Sequence, residues 1–440
     1  MSLRGLRAAA VCAGLSLVLL ASHGAPVQAG DGFQQSGSLP DGAVYILRRD
    51  PGVPTAAVEF WFRAPAAGYD NRYPGIARLA IAAAAASHGA HGTSFAEFVN
   101  RIGGALNIQI YPDIVMLGAR IPSARAQAAF AGLADALFHT PISDEGLKAA
   151  QRDAAIDAAE VQYDSERSLQ DRLFAALFVA GPAHYPPTPP SPSAFAKIPA
   201  KDIRAFAART FRQSNAFIAL AGNLDVSVLS TVANARVGGQ MATPYDSTVA
   251  SASKQTVQSG QAPAVGLAWA GPPIAQERDA TALDFIADYL FDPEHGVVPS
   301  QLDAADAGVL ADGQFVTLHN PGVLVVTLSG KGAFKAQQGV IDAVRSMQNP
   351  MDAGAFGDAR RAFMYHILQQ IQTPAQRADN FGWYAAEGNA GYAPGDASGA
   401  YMRAAESLSP DFVAAVARRY LEHPMIVRVI TAPPQNAQPT

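Results

Sequence analysis

This chain of 440 residues has one cysteine, Cys12, and it lies in an N-terminal stretch that reads as a cleaved export signal. The mature chain then has no thiol, which excludes disulfides, iron–sulfur clusters and cysteine nucleophiles. Charge is sparse as well: charged residues are 16% of the chain, against ~25% in soluble domains generally. A net charge of −5 and a pI of 6.0 leave no basic footprint for nucleic acid. Of nine histidines no two stand four apart, so no helix can turn an i, i+4 imidazole pair toward one metal ion. Beyond the N-terminus no apolar run approaches the ~20 residues of a membrane span.

The signal is built from the usual parts. Arg4 and Arg7 form a short positive region, residues 8–21 are apolar apart from Gly14 and Ser16, and Val27-Gln28-Ala29 offers small residues before a cut at Gly30. The apolar stretch is too short for an uncleaved anchor. Cys12 sits within it rather than at its end, against a lipid-anchoring role. The mature chain is expected to be exported to a bacterial periplasm, with no membrane span after cleavage.

Alanine fills much of the space that charge leaves, favouring closely packed, helix-rich layers. The dominant signal is repetition. Ala57-Val58-Glu59-Phe60-Trp61-Phe62-Arg63-Ala64-Pro65 returns as Ala264-Val265-Gly266-Leu267-Ala268-Trp269-Ala270-Gly271-Pro272, 207 residues on. Both copies alternate apolar positions and break at Pro, as a strand leaving a sheet does. Pro141-Ile142-Ser143-Asp144 answers to Pro350-Met351-Asp352-Ala353, Arg152 to Arg361, and the strand opening at Phe217 to that opening at Ile426, each at an offset of 209. So long a period means two homologous units rather than a solenoid.

In the first copy, apolar alternation and punctuation predict strands at 44–48 and 56–62 and a helix at 75–87. A short helix follows at 94–103, with Ser94 as N-cap and Glu97 three residues on. Then come a hairpin of 106–110 and 114–121, helices at 124–138, 143–163 and 200–211, and a closing strand at 216–221. The second copy repeats the order with a strand from 264, helix 279–290, hairpin 314–329, helices 333–347 and 352–372, and strand 425–431. The fold class is α+β: two homologous repeats, each a mixed or antiparallel sheet with helices packed on one face. The expected units are a signal peptide at 1–29, a first domain at 30–239, a linker at 240–262 with an extended piece near 255–257, a second domain at 263–433 and a frayed tail at 434–440.

Several segments carry a family resemblance through their order and spacing. They are residues 57–65 followed by Gly75-Ile76-Ala77, then Gly92-Thr93 with Phe95-Ala96-Glu97-Phe98, Ile102-Gly103-Gly104-Ala105-Leu106, Pro141-Ile142-Ser143, and residues 215–222. Over nearly all of the mature chain they resemble the pitrilysin/insulinase metallopeptidases. That family includes bacterial processing-type peptidases, the mitochondrial processing peptidase and the core proteins of the bc1 complex. The resemblance implies two domains facing each other as half of a clam shell. It also implies zinc, held by His-x-x-Glu-His on the helix after the first strand pair and by a later acidic residue, with the Glu as base toward the metal-bound water.

This chain departs from that pattern. Arg78 stands at the first His position, Ile81 at the Glu position and Ala82 at the second His position. The helix expected to supply the acidic ligand holds Asp157 and Glu160, and one carboxylate cannot hold zinc. The family's substrate-gripping Arg and Tyr fall on Ala304 and Ala311. No zinc or other cofactor is therefore expected. In heterodimeric relatives one subunit supplies zinc and the other this Arg–Tyr pair; by that pattern the chain supplies neither.

Other candidate chemistry is weaker. His88-Gly89-Ala90-His91, with help from Glu97, is a weak metal candidate in a Gly-containing loop without a fixed face. Gly330-Lys331-Gly332 reads as a strand-to-helix turn rather than a nucleotide site. His366 lies alone on the long helix of the second copy, at the position matching Asp157, and reads as a packed or surface residue. The expectation is a non-catalytic homologue that binds peptides or assembles with a catalytic sister subunit, as a heterodimer, or with itself as a homo-oligomer. An active hydrolase with another metal or nucleophile, and a structural subunit like the bc1 core proteins, are the alternatives.

Overall fold

The computed structural model describes residues 34–65, 72–89, 92–186, 190–232, 240–259, 262–305, 307–393 and 399–431. The signal segment with Cys12, the tail 434–440 and His91 lie outside them. The first repeat runs β1 (Gln34–Ser38), β2 (Val44–Arg49), β3 (Thr55–Arg63), α1 (Ile76–Ala86), α2 (Phe95–Arg101), β4 (Ala105–Ile110), β5 (Ile114–Pro122), α3 (Ala126–Phe138), α4 (Asp144–Tyr163), α5 (Ser165–Leu177), β6 (Phe178–Ala180), α6 (Pro192–Ala196), α7 (Ala200–Thr210) and β7 (Ala216–Gly222). Then follow β8 (Thr248–Val249), β9 (Lys254–Ser259), β10 (Ala264–Ala270), α8 (Glu277–Phe291), α9 (Val297–Ala304), β11 (Leu310–Val316), β12 (Val323–Ser329), α10 (Ala333–Ser346), α11 (Ala353–Gln369), α12 (Pro374–Glu387), α13 (Ala400–Glu406), α14 (Pro410–Tyr420) and β13 (Met425–Thr431).

Several helix starts are set by side-chain caps, of which the sequence suggested that at Ser94. Ser94 and Glu97 form a reciprocal capping box at α2. α4 begins where the Ser143 hydroxyl accepts from the amide of Gly146, and α11 where Asp352 accepts from those of Gly354 and Ala355. These two caps are 209 residues apart, so the repeat extends to helix termini.

The first sheet has the order β1-β2-β7-β3-β5-β4, and the second, β9-β13-β10-β12-β11, repeats it without β1. In each, one pair is parallel, β2 with β7 and β9 with β13, and the rest are antiparallel. The extended piece expected near 255–257 is β9. Register corrects one sequence match. Ala57 pairs with Ala221, and Ala264 with Val429, so the closing strands correspond at an offset of 208, Phe217 to Met425 rather than Ile426.

One face of the first sheet packs Ala56, Val58, Phe60 and Phe62 against α1, α3, α4 and α7, forming a core of its own. The opposite face is covered from the other repeat. α12 lies on β2, β3, β5 and β7, while α5 of the first repeat lies on β10, β12 and β13 of the second sheet. The two helices start 209 residues apart, at Ser165 and Pro374, so the exchange is reciprocal. Neither was expected from the sequence. It joins the inner face of the first sheet, both exchanged helices and the second sheet into one continuous core that contains Trp61, Leu169, Leu173, Leu267 and Phe381.

Close approach of helix to sheet needs missing side chains on both sides. A Cβ on Gly382 of α12 would come within 2.0 Å of Trp61, and one on Gly266 of β10 within 2.6 Å of Leu173 of α5. The end of α12 is held electrostatically. The buried Arg63 donates to the carbonyls of Ala386 (2.5 Å) and Ala385 (3.3 Å), its charge set against the negative end of the helix.

Candidate functional site

α1 carries the positions where the resemblance places metal chemistry. Its inner face packs on the first sheet, and there Ile81 is fully buried while Ala82 is partly buried. Neither has a lone pair to offer a metal. Arg78 faces α4, where its Nη1 lies 2.7 Å from Oδ2 of Asp157. Oδ1 of Asp157 lies 2.6 Å from Nη2 of Arg167 on the exchanged helix α5, and Glu160 lies 3.5 Å from Nη1 of the same residue. Burial works against the charge on Asp157, but the bond from Arg167 and the nearby charges of Arg78 and Arg167 hold its carboxyl below the ordinary range.

The carboxylate that could have been the acidic ligand is thus engaged by two permanent cations. A Zn²⁺ ion here would meet two guanidiniums, which have no lone pair, and an alanine and an isoleucine where imidazole and base belong. The residues do not fit the ion. Beside them is a cavity of about 260 Å³ lined by Arg78, Tyr111, Asp157, Arg167, Asp171 and Val316, among others. Burial pushes Asp171 up to about 7 against the pull of Arg172 and Arg167. Val316, the last residue of β11, brings the second repeat to the cavity wall.

The positions of the substrate clamp are elsewhere. Ala304 is exposed at the C-terminal end of α9, and Ala311 is partly buried on the edge strand β11; neither lines this cavity. What the first repeat gathers around Asp157 is a charge cluster of Arg78, Glu160 and Arg167, to which the second repeat adds only the apolar wall of Val316.

Residues 197–360 match the family model described as the peptidase M16 inactive domain. Over that stretch the chain is similar to the M16 inactive domain. No curated protein matches it in sequence. Solved structures match its fold: a protease from Helicobacter pylori at 16% identity and TM-score 0.77, over 91% of this chain and 99% of that one. The peptidase M16 inactive domain from Pseudomonas fluorescens is 18% identical with TM-score 0.75, over 92% and 100%. A chain of complex III2 from Candida albicans is 11% identical with TM-score 0.72, over 90% and 94%. The two-repeat clam-shell fold expected from the M16 resemblance is the fold found.

Elsewhere in the fold, the His88 side chain lies 3.3 Å from Glu97 and 3.9 Å from Glu145. Its proposed companion His91 is outside the described residues. Gly330-Lys331-Gly332 is a strand-to-helix turn between β12 and α10. His366 is not alone: its Nδ1 lies 2.9 and 3.1 Å from the carboxylate oxygens of Asp288 and 4.0 Å from Oδ2 of Asp292. Sequence reasoning missed this group because Asp288 and His366 are 78 residues apart. The available signal was the i, i+4 spacing of Asp284, Asp288 and Asp292 along α8 into its C-cap, facing the helix that carries His366.

Proposed function

We propose that this protein is an exported, non-catalytic M16 homologue that serves as a peptide-binding or assembly partner of a catalytic sister subunit. One observation carries the reading: Arg78 occupies the metal-ligand position and is locked, with Arg167, onto Asp157. That arrangement retains the fold of a peptidase and replaces its electrophile with a fixed ion pair. The inactive M16 domain over residues 197–360 supports the loss of catalysis. The likeness to a chain of complex III2 supports a life in an assembly, and makes a purely structural subunit the second reading.

The test uses the mature chain, purified alone and together with an exported chain bearing His-x-x-Glu-His encoded beside it. The lone chain is expected to cleave no peptide, to form a stable complex with the sister and to change its rate. Chelator-sensitive cleavage by the lone chain overturns the reading. A monomer that leaves the sister's rate unchanged overturns the pairing, and a stable complex that binds no peptide favours the structural role.

A further inference from the structure

We propose that Asp288, Asp292 and His366 form a binding site for a divalent transition-metal ion in the second repeat. α8 and α11, which carry it, are the repeat counterparts of α1 and α4. Each of the three residues offers one ligand atom, and these atoms lie within 4.8 Å of one another. Ligands at about 2.0–2.2 Å from a zinc-sized ion stand roughly 3–4 Å apart, so the 2.9 Å and 4.0 Å separations from the imidazole need only small side-chain adjustment. Asp292 is already oriented: its Oδ1 accepts from the amides of Glu294 and His295, which leaves Oδ2 to turn toward His366.

The surroundings call for a ligand independently of the carboxylates. The group opens into a cavity of about 340 Å³ whose walls, among the described residues, carry no lysine or arginine. Asp284, Asp288, Asp292 and Glu294 all line it, at the negative end of α8, and His366 is the one basic side chain on them. Two buried polar atoms in the same walls have no hydrogen-bond partner. One is Nε2 of Gln314, a residue only 8% exposed on β11, and the other is Oε1 of Gln370, one turn beyond His366. An amide oxygen from Gln370 would add a fourth oxygen-or-nitrogen ligand, and the Gln314 amide a donor to a metal-bound water. One imidazole with carboxylates and amides suits Zn²⁺ or Mn²⁺ better than Ca²⁺ or Mg²⁺, which prefer all-oxygen sets.

The experiment titrates the full mature chain, free of any affinity tag and stripped with chelator, with zinc chloride and manganese chloride in a calorimeter. One equivalent is expected to bind, and zinc is expected to raise the midpoint of thermal unfolding. His366→Ala should abolish binding. Asp292→Asn, which leaves the Asp288–His366 contact in place, should weaken it at least ~10-fold. His88→Ala, which removes a histidine–carboxylate contact in the first repeat, should change nothing. Circular dichroism establishes that each variant is folded. No binding by the wild-type chain overturns the proposal, as does binding that survives His366→Ala. Equal affinity in Asp292→Asn and wild type reduces the group to an ordinary His–Asp ion pair and overturns it too.

Discussion

Asp157 accepts from two guanidiniums on two different helices, and its removal takes the paired carboxylate from Arg78 and leaves Arg167 only the longer contact to the exposed Glu160. Asp157→Ala is expected to lower stability by about 1–3 kcal/mol, because Arg167 is mostly buried and keeps its charge. Thermal unfolding reads this directly, and an unchanged midpoint would show the cluster to be ornamental. Gly382 makes a sharper case. Any side chain there collides with the Trp61 ring, so Gly382→Ala should cost about 1–3 kcal/mol by forcing α12 off the sheet, although alanine is the better helix former. At this scale the sequence was legible where a residue acts through its near neighbours, as Ser94 does with Glu97. It was silent on Asp288 with His366, whose meeting depends on two helices that only the fold brings face to face.

Among the elements, α12 places two carboxyl pairs in the join between repeats. Asp379 faces Glu59, and Glu387 faces Asp113. Burial, and then the neighbouring carboxyl charge, raise Glu59 and Glu387 well above their ordinary values; burial also brings Asp113 to about 7 and Asp379 to about 6. The folded state thus holds protons that the unfolded chain has released above about pH 4–5, so this contribution is complete in acid and is lost as pH rises through 6 to 7 and beyond. A Glu59→Gln/Glu387→Gln variant should lose less stability between pH 5 and pH 8 than the wild type. Identical pH dependence in the two would refute the assignment. The same elements show why sequence reasoning fell short. α5 and α12 have apolar faces whose partners lie in the other repeat, far along the chain, so local patterning gave no reason to close either helix. β13 alternates buried with partly buried positions but carries isoleucine on the more exposed face as well as valine on the buried one, so its apolar residues alone do not say which face is which. That is how its match slipped by one residue, whereas β3 and β10, each with a Pro two residues beyond its end, keep the 207-residue offset.

For the whole molecule, the reciprocal exchange of α5 and α12 leaves no boundary along which one half could melt alone. Scanning calorimetry should give a single transition whose van't Hoff and calorimetric enthalpies agree, and two resolved peaks would contradict this. A fragment holding only the second repeat should be insoluble, since β10, β12 and β13 would expose the surface that Leu169 and Leu173 cover. The exchange is also the geometry of a swapped dimer whose two copies share one covalent thread. In two separate chains, that embrace would form and dissolve with concentration. Joined end to end, each half meets its complement at the fixed effective concentration that the connecting segment sets, so assembly of the shell no longer depends on how much protein the compartment contains.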